Sequence, residues 1–145
     1  MLIRIDANGS QPLYQQIRDQ IVAGIATGEL EPGQGLPSVR TLASDLGINL
    51  HTVNKAYAVL RDEGYVRMRG RAGAVIADPA EADQAHRAEA AQRSMEAELF
   101  KLALAHRARG GDRTSFLECA AAQAARAYEA LSAASRSAPS QPNGA

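Results

Sequence analysis

Between Leu42 and Tyr57 the sequence reads LASDLGINLHTVNKAY, and the two residues at its centre, Gly47 and Ile48, constrain the fold more than any other feature of the chain. Before them, Ser38 follows Pro37 and can cap a short helix whose apolar members are Val39, Leu42, Ala43 and Leu46. Glycine at position 47 is the usual helix stop. After them, Asn49 is an apt N-cap for a further helix running to about Glu63, where Gly64 ends it. Leu50, Val53, Tyr57 and Leu60 then share one apolar face. Two short helices across a tight turn containing glycine form the helix-turn-helix pattern.

The polar side of the second of these helices is unusual. A solvated helix face is normally filled with Glu, Lys, Gln and Arg, whereas this one begins with His51, Thr52 and Asn54, short hydrogen-bonding side chains that are mediocre helix formers. Presentation to DNA accounts for them. A major groove about 12 Å wide admits one helix, whose first turns bring short polar groups to base edges while longer cations reach phosphate. His51, Thr52 and Asn54 are therefore base or sugar-phosphate candidates and Lys55 a phosphate candidate. The competing reading is a solvated face with Asn49 as its cap.

The flanking segments extend the pattern. Ser10 and Pro12 predict the start of a first amphipathic helix carrying Leu13, Ile17, Ile21 and Ile25 up to Gly28, and ELEPGQGL reads as a loop. After Gly64, Tyr65 to Met68 and Ala74 to Ala77 are β-prone runs around RGRAG, a hairpin that gives the winged form of the motif. Arg67, Arg69 and Arg71 lie in RMRGR with no acid between Glu63 and Asp78, so Arg69, Gly70 and Arg71 predict a cationic, slender tip suited to a minor groove. From Pro79 to about Arg109 neither proline nor glycine interrupts, which predicts a helix of about 45 Å. Its second half, with Met95, Leu99, Phe100, Leu102 and Leu104, is broader in apolar surface than one stripe needs. Gly110 and Gly111 break it, and Asp112 or Thr114 starts a last helix through Phe116, Leu117, Ala124, Tyr128 and Leu131. Two such helices with little to cover them predict a homodimer; packing back on the N-terminal domain is the alternative.

The chain of 145 residues is thus expected to be mainly α with a small β-hairpin: a winged helix-turn-helix domain over 1–78, a two-helix dimerisation region over 79–135 and a disordered tail over 136–145. Formal charge is zero, and the 16 basic and 16 acidic residues divide eight and eight on either side of position 79, so any DNA affinity must come from local placement. One cysteine, Cys119, allows no internal disulfide, and neither a signal peptide nor a membrane span is legible, which makes a cytoplasmic protein the expectation. Phosphate-binding loops, nucleophile elbows and clustered metal ligands are absent from the sequence, His86 near Asp83 being too sparse a set. Neither catalysis, a cofactor nor a metal is expected.

The stretch LPSVRTLASDLGINLHTVNKAYAVLRDEGYV resembles the winged helix-turn-helix domain of the GntR family of bacterial transcriptional regulators, over roughly residues 10 to 77. The short C-terminal part is similar to the YtrA-type subgroup, in which a small dimerisation region replaces a large ligand-binding domain. The resemblance implies a transcriptional regulator bound to double-stranded DNA; occupying a promoter without an activating surface favours a repressor, and a two-fold homodimer is expected on an inverted repeat. It also implies that Arg40 contacts DNA, with Ser38 and Asn49 beside it at the helix starts. Many members carry Arg at the positions of Leu50 and Asn54, and the wing turn departs from the family's glycine-bracketed form, so the bases read are not transferable. A dimeric protein-interaction adaptor is the rival function. An effector, if one exists, would bind between subunits or under the winged domain, because a two-helix tail offers little volume.

Overall fold

The computed structural model describes residues 2–70, 73–81 and 84–136. Its elements are α1 (Leu13–Ala26), α2 (Val39–Leu46), α3 (Leu50–Asp62), β1 (Val66–Met68), β2 (Ala74–Ile76), α4 (Gln84–Ala108) and α5 (Arg113–Arg136). They divide into two units, Met1–Ala88 and Glu89–Ala145.

The expected turn is present and its chemistry is visible. Ser38 Oγ accepts the Thr41 N–H at 3.1 Å, Asn49 Oδ1 accepts the His51 N–H at 2.8 Å, and Gly47 takes the left-handed conformation (φ 65°) that closes α2. α3 packs on both α1 and α2 around Ile17, Ile21, Leu42, Val53 and Leu60, and the hairpin adds Val66, Ala74 and Ile76 to the same core. Leu50 does not join it: at the first turn of α3 it is 41% exposed, and Ala56 takes its place beside Val53, Tyr57 and Leu60.

Three further expectations are corrected. Pro12, not Ser10, stands at the cap of α1; its carbonyl accepts from Gln15 and Gln16, and its ring offers no acceptor for a side-chain cap. The loop ELEPGQGL is partly sheet: Gly35 bridges Val75, Leu36 N–H donates to Ala74, and Ile76 N–H donates to the Gln34 carbonyl at 2.9 Å. A single paired residue between prolines and glycines leaves no alternating pattern to read. The long helix begins at Gln84 rather than Pro79, since Asp78 holds the N–H groups of Ala80 and Glu81 in a turn.

The N-terminal segment is bound to α1 through glutamines. Gln16 Oε1 accepts the Asp6 N–H at 2.8 Å while its Nε2 donates to the Asp6 carbonyl at 2.9 Å, and Gln20 pairs with Arg4 in the same two ways at 2.9 and 2.7 Å. The match is metric. Four helical residues rise about 6 Å and two extended residues span about 6.6 Å, so amides one turn apart meet alternate residues of a nearly extended chain. Ile3 and Ile5, which alternate with the paired residues, pack against the core.

In the second unit Asp112 caps α5, its Oδ1 accepting the Ser115 N–H at 2.8 Å. That bond, with the Ser115 hydroxyl, holds the Asp112 carboxyl below its ordinary range. His106 lies against Gly111, where any Cβ would collide with the ring, and bonds Ser115 Oγ at 2.7 Å. Most of this unit's large apolar side chains are open: Met95, Leu99, Phe100, Leu102, Leu104, Leu117 and Tyr128 are each 45% exposed or more.

Gln16→Ala should cost about 1–3 kcal/mol, because it leaves the half-buried Asp6 N–H and the Gln11 carbonyl unpaired. Gln20→Ala, at an exposed pair, should cost less than about 1 kcal/mol. Urea denaturation of the two variants measures the difference, and equal midpoints would contradict it.

Candidate nucleic-acid interface

The buried line of α3, Val53, Ala56, Tyr57 and Leu60, fixes which side faces outward. His51 and Lys55, one turn apart, lie opposite it with Asn54, all exposed; Thr52 is half-buried on the flank, and Asn49 stands exposed at the cap. Among the described residues the side chains of His51, Thr52 and Asn54 make no hydrogen bond within the protein. Exposed Leu50 adds an apolar group to the same first turn, and such a group can meet a thymine methyl. Its place in an apolar pattern concealed this; its position directly after the cap was the only signal.

Arg40 is exposed on α2 and forms no ion pair among the described residues. A pairing with Asp45 does not occur, five residues along a helix placing the two on different sides. Ser38 has its oxygen on the Thr41 N–H and 2.8 Å from Thr41 Oγ1.

The wing is less basic than RMRGR implies. Arg67 lies at its base, where Nη1 donates to both carboxylate oxygens of Glu81 at 2.8 Å. Its charge is neutralised there. Arg69 and Gly70 are exposed at the turn, which the Arg69 N–H closes on the Gly73 carbonyl at 2.8 Å. Arg71 lies outside the described residues, as do positions 137–145 of the expected tail and Asp83.

Two contacts fix α3 in place. The Tyr57 hydroxyl donates to the Pro37 carbonyl at 2.7 Å, joining α3 to the residue before the Ser38 cap. Burial pushes the Tyr57 phenol up to about 12. Lys55 Nζ lies over the ring of Tyr14 on α1, 4.1 Å from its centroid.

A helix-turn-helix with a hairpin at its side and a solvent-facing, internally unbonded polar first turn on its second helix defines a DNA-binding module of the winged type. The profile of bacterial regulatory proteins of the gntR family matches residues 13–76. The HTH-type transcriptional regulator Rv1152 of Mycobacterium tuberculosis is 41% identical over 85 residues, 57% of this chain and 70% of that protein. The HTH-type transcriptional repressor YtrA of Bacillus subtilis is 44% identical over 71 residues, 48% of this chain and 55% of the relative. Among solved structures, YtrA from Sulfolobus acidocaldarius, a GntR-family transcription factor, superposes with a TM-score of 0.57 at 43% identity, covering 72% of this chain and 99% of that one. The chain belongs to the GntR family and is a DNA-binding transcriptional regulator.

Tyr57→Phe removes the bond to Pro37 and should lower stability by about 0.5–1.5 kcal/mol. The sign of the pH effect follows from the raised phenol. Stability from keeping Tyr57 neutral is complete below its ordinary value of 10.0 and is lost as pH rises through about 12. Wild type should therefore lose stability between these values more steeply than Tyr57→Phe, as urea midpoints across alkaline pH would show.

Proposed function

We propose that this regulator acts as a homodimeric repressor that occupies an inverted repeat, reading each half-site with α3. The carrying observation is the outward first turn of α3, whose His51, Thr52 and Asn54 side chains have no partner among the described residues. Buried in a groove, those groups would find base edges; exposed, they stabilise nothing. In this reading Leu50 meets a thymine methyl, Arg40 a base edge or phosphate, Lys55 a phosphate, and Arg69 with Gly70 and Arg71 the adjacent minor groove. Ser38 and Asn49 set the starts of the two helices beside the backbone.

Dimerisation is supported by Met95, Leu99, Phe100, Leu102 and Leu104, which leave α4 with apolar surface that a second copy would cover. Repression fits a protein whose bound form blocks a promoter without presenting an activating surface, and one relative carries repressor in its name. For an effector, the winged unit offers a half-open, mainly apolar cavity of about 410 Å³ between Ile3, Leu30, Leu36, Leu46 and Tyr57, with Asp45 and Gln34 at its edge.

Selection from a random DNA pool should return an inverted repeat with half-site centres roughly 10 base pairs apart or a multiple of that. On that site Arg40→Ala should lose about 1–3 kcal/mol, and Lys55→Ala should weaken all sequences alike while lowering the salt slope by about one unit. A footprint without two-fold symmetry contradicts the reading; affinity indifferent to salt points to an adaptor instead.

Glu at both Leu99 and Leu102 would place charge in the proposed seam. Sedimentation should show monomers with weakened DNA binding, and an unchanged dimer would place the interface elsewhere.

A further inference from the structure

Two side chains on α1, one turn apart, hold charged or cationic partners, and they do so by different chemistry. Arg18 donates to Glu63 at the end of α3 and to Asp19, with the Tyr65 ring 5.6 Å from its Cζ. Its charge is cancelled by carboxylates. Tyr14, one turn earlier, holds Lys55 by the face of its ring at 4.1 Å, and Lys55 has no carboxylate partner among the described residues. The Tyr14 ring is half-buried against the core and so has a fixed place.

The difference has a chemical meaning on a surface that meets phosphate. A carboxylate at position 14 would hold the ammonium but cancel its charge, and an aliphatic side chain would leave a flexible four-carbon stem unrestrained. A ring face restrains the stem and keeps the full charge.

We propose that Tyr14 is a positioning residue of the DNA interface: its ring pre-orients the Lys55 ammonium without neutralising it, and the stack persists in the complex, with phosphate on the side of the ammonium away from the ring. This rests on the assignment of Lys55 to a phosphate contact. Tyr14 extends the interface onto α1, which the helix-turn-helix pattern alone does not include.

The test uses the full chain and a selected operator duplex. Tyr14→Phe keeps the ring and should match wild type in affinity and salt slope. Tyr14→Leu should bind about two- to five-fold more weakly, and that loss should vanish when Lys55 is already Ala. The Lys55 ε-methylene protons should show a ring-current upfield shift in wild type and in Tyr14→Phe, both free and DNA-bound. Thermal unfolding of each variant reports on folding. Should Tyr14→Leu not fold, the shift in wild type decides alone: retained in the complex it supports the proposal, and lost on adding DNA it overturns it. A Tyr14→Leu loss that is undiminished in the Lys55→Ala background, or no loss at all, overturns the proposal while leaving the phosphate contact intact. A Lys55→Ala variant with unchanged affinity overturns that contact and the proposal together.

Discussion

The left-handed backbone at Gly47 is the constraint on which the placement of α3 depends. With φ at 65° it ends α2, lets the Ile48 N–H return to the Ala43 carbonyl at 3.0 Å, and leaves Asn49 free to cap the next helix. A residue with a Cβ meets a penalty of roughly 1–2 kcal/mol in that conformation. Because the turn is so short, the orientation of α3 relative to α2 is set by backbone geometry before any long-range packing is added. Tyr57 then fastens the far side through Pro37, and Lys55 meets Tyr14 on α1.

What could be read from the sequence was local. Ser38, Gly47, Asn49 and Gly64 announce helix ends through chemistry that acts within four residues, and the outward side of α3 follows from the spacing of Val53, Tyr57 and Leu60. What could not be read was pairing across distance. Nothing near Gln16 reveals that its amide meets Asp6, nothing near Arg67 reveals Glu81, and the bridge from Gly35 to Val75 sits in a segment whose composition denies sheet. Leu50 was misplaced for another reason: helical spacing reports angle around an axis but not whether a neighbour is present at that level.

Overall neutrality and DNA recognition are reconciled by how charges are sorted. Asp19, Glu63 and Glu81 are engaged by Arg18 and Arg67, on α1 and at the base of the wing. Arg40 and Lys55 are left without carboxylates among the described residues, on the two helices of the motif. A composition with no net charge thus still leaves unpaired cations on the helix-turn-helix.

The glutamine pairs on α1 separate two kinds of sequence freedom. Gln16 and Gln20 recognise the backbone of Asp6 and Arg4, not their side chains, so the segment they hold can drift in sequence at those two positions while remaining in place. Mutation would be tolerated in the segment that is held and felt in the helix that holds it. Across related chains, variability at 4 and 6 beside fixed amides at 16 and 20 would be the evolutionary trace of an extended segment that no strand pattern announces.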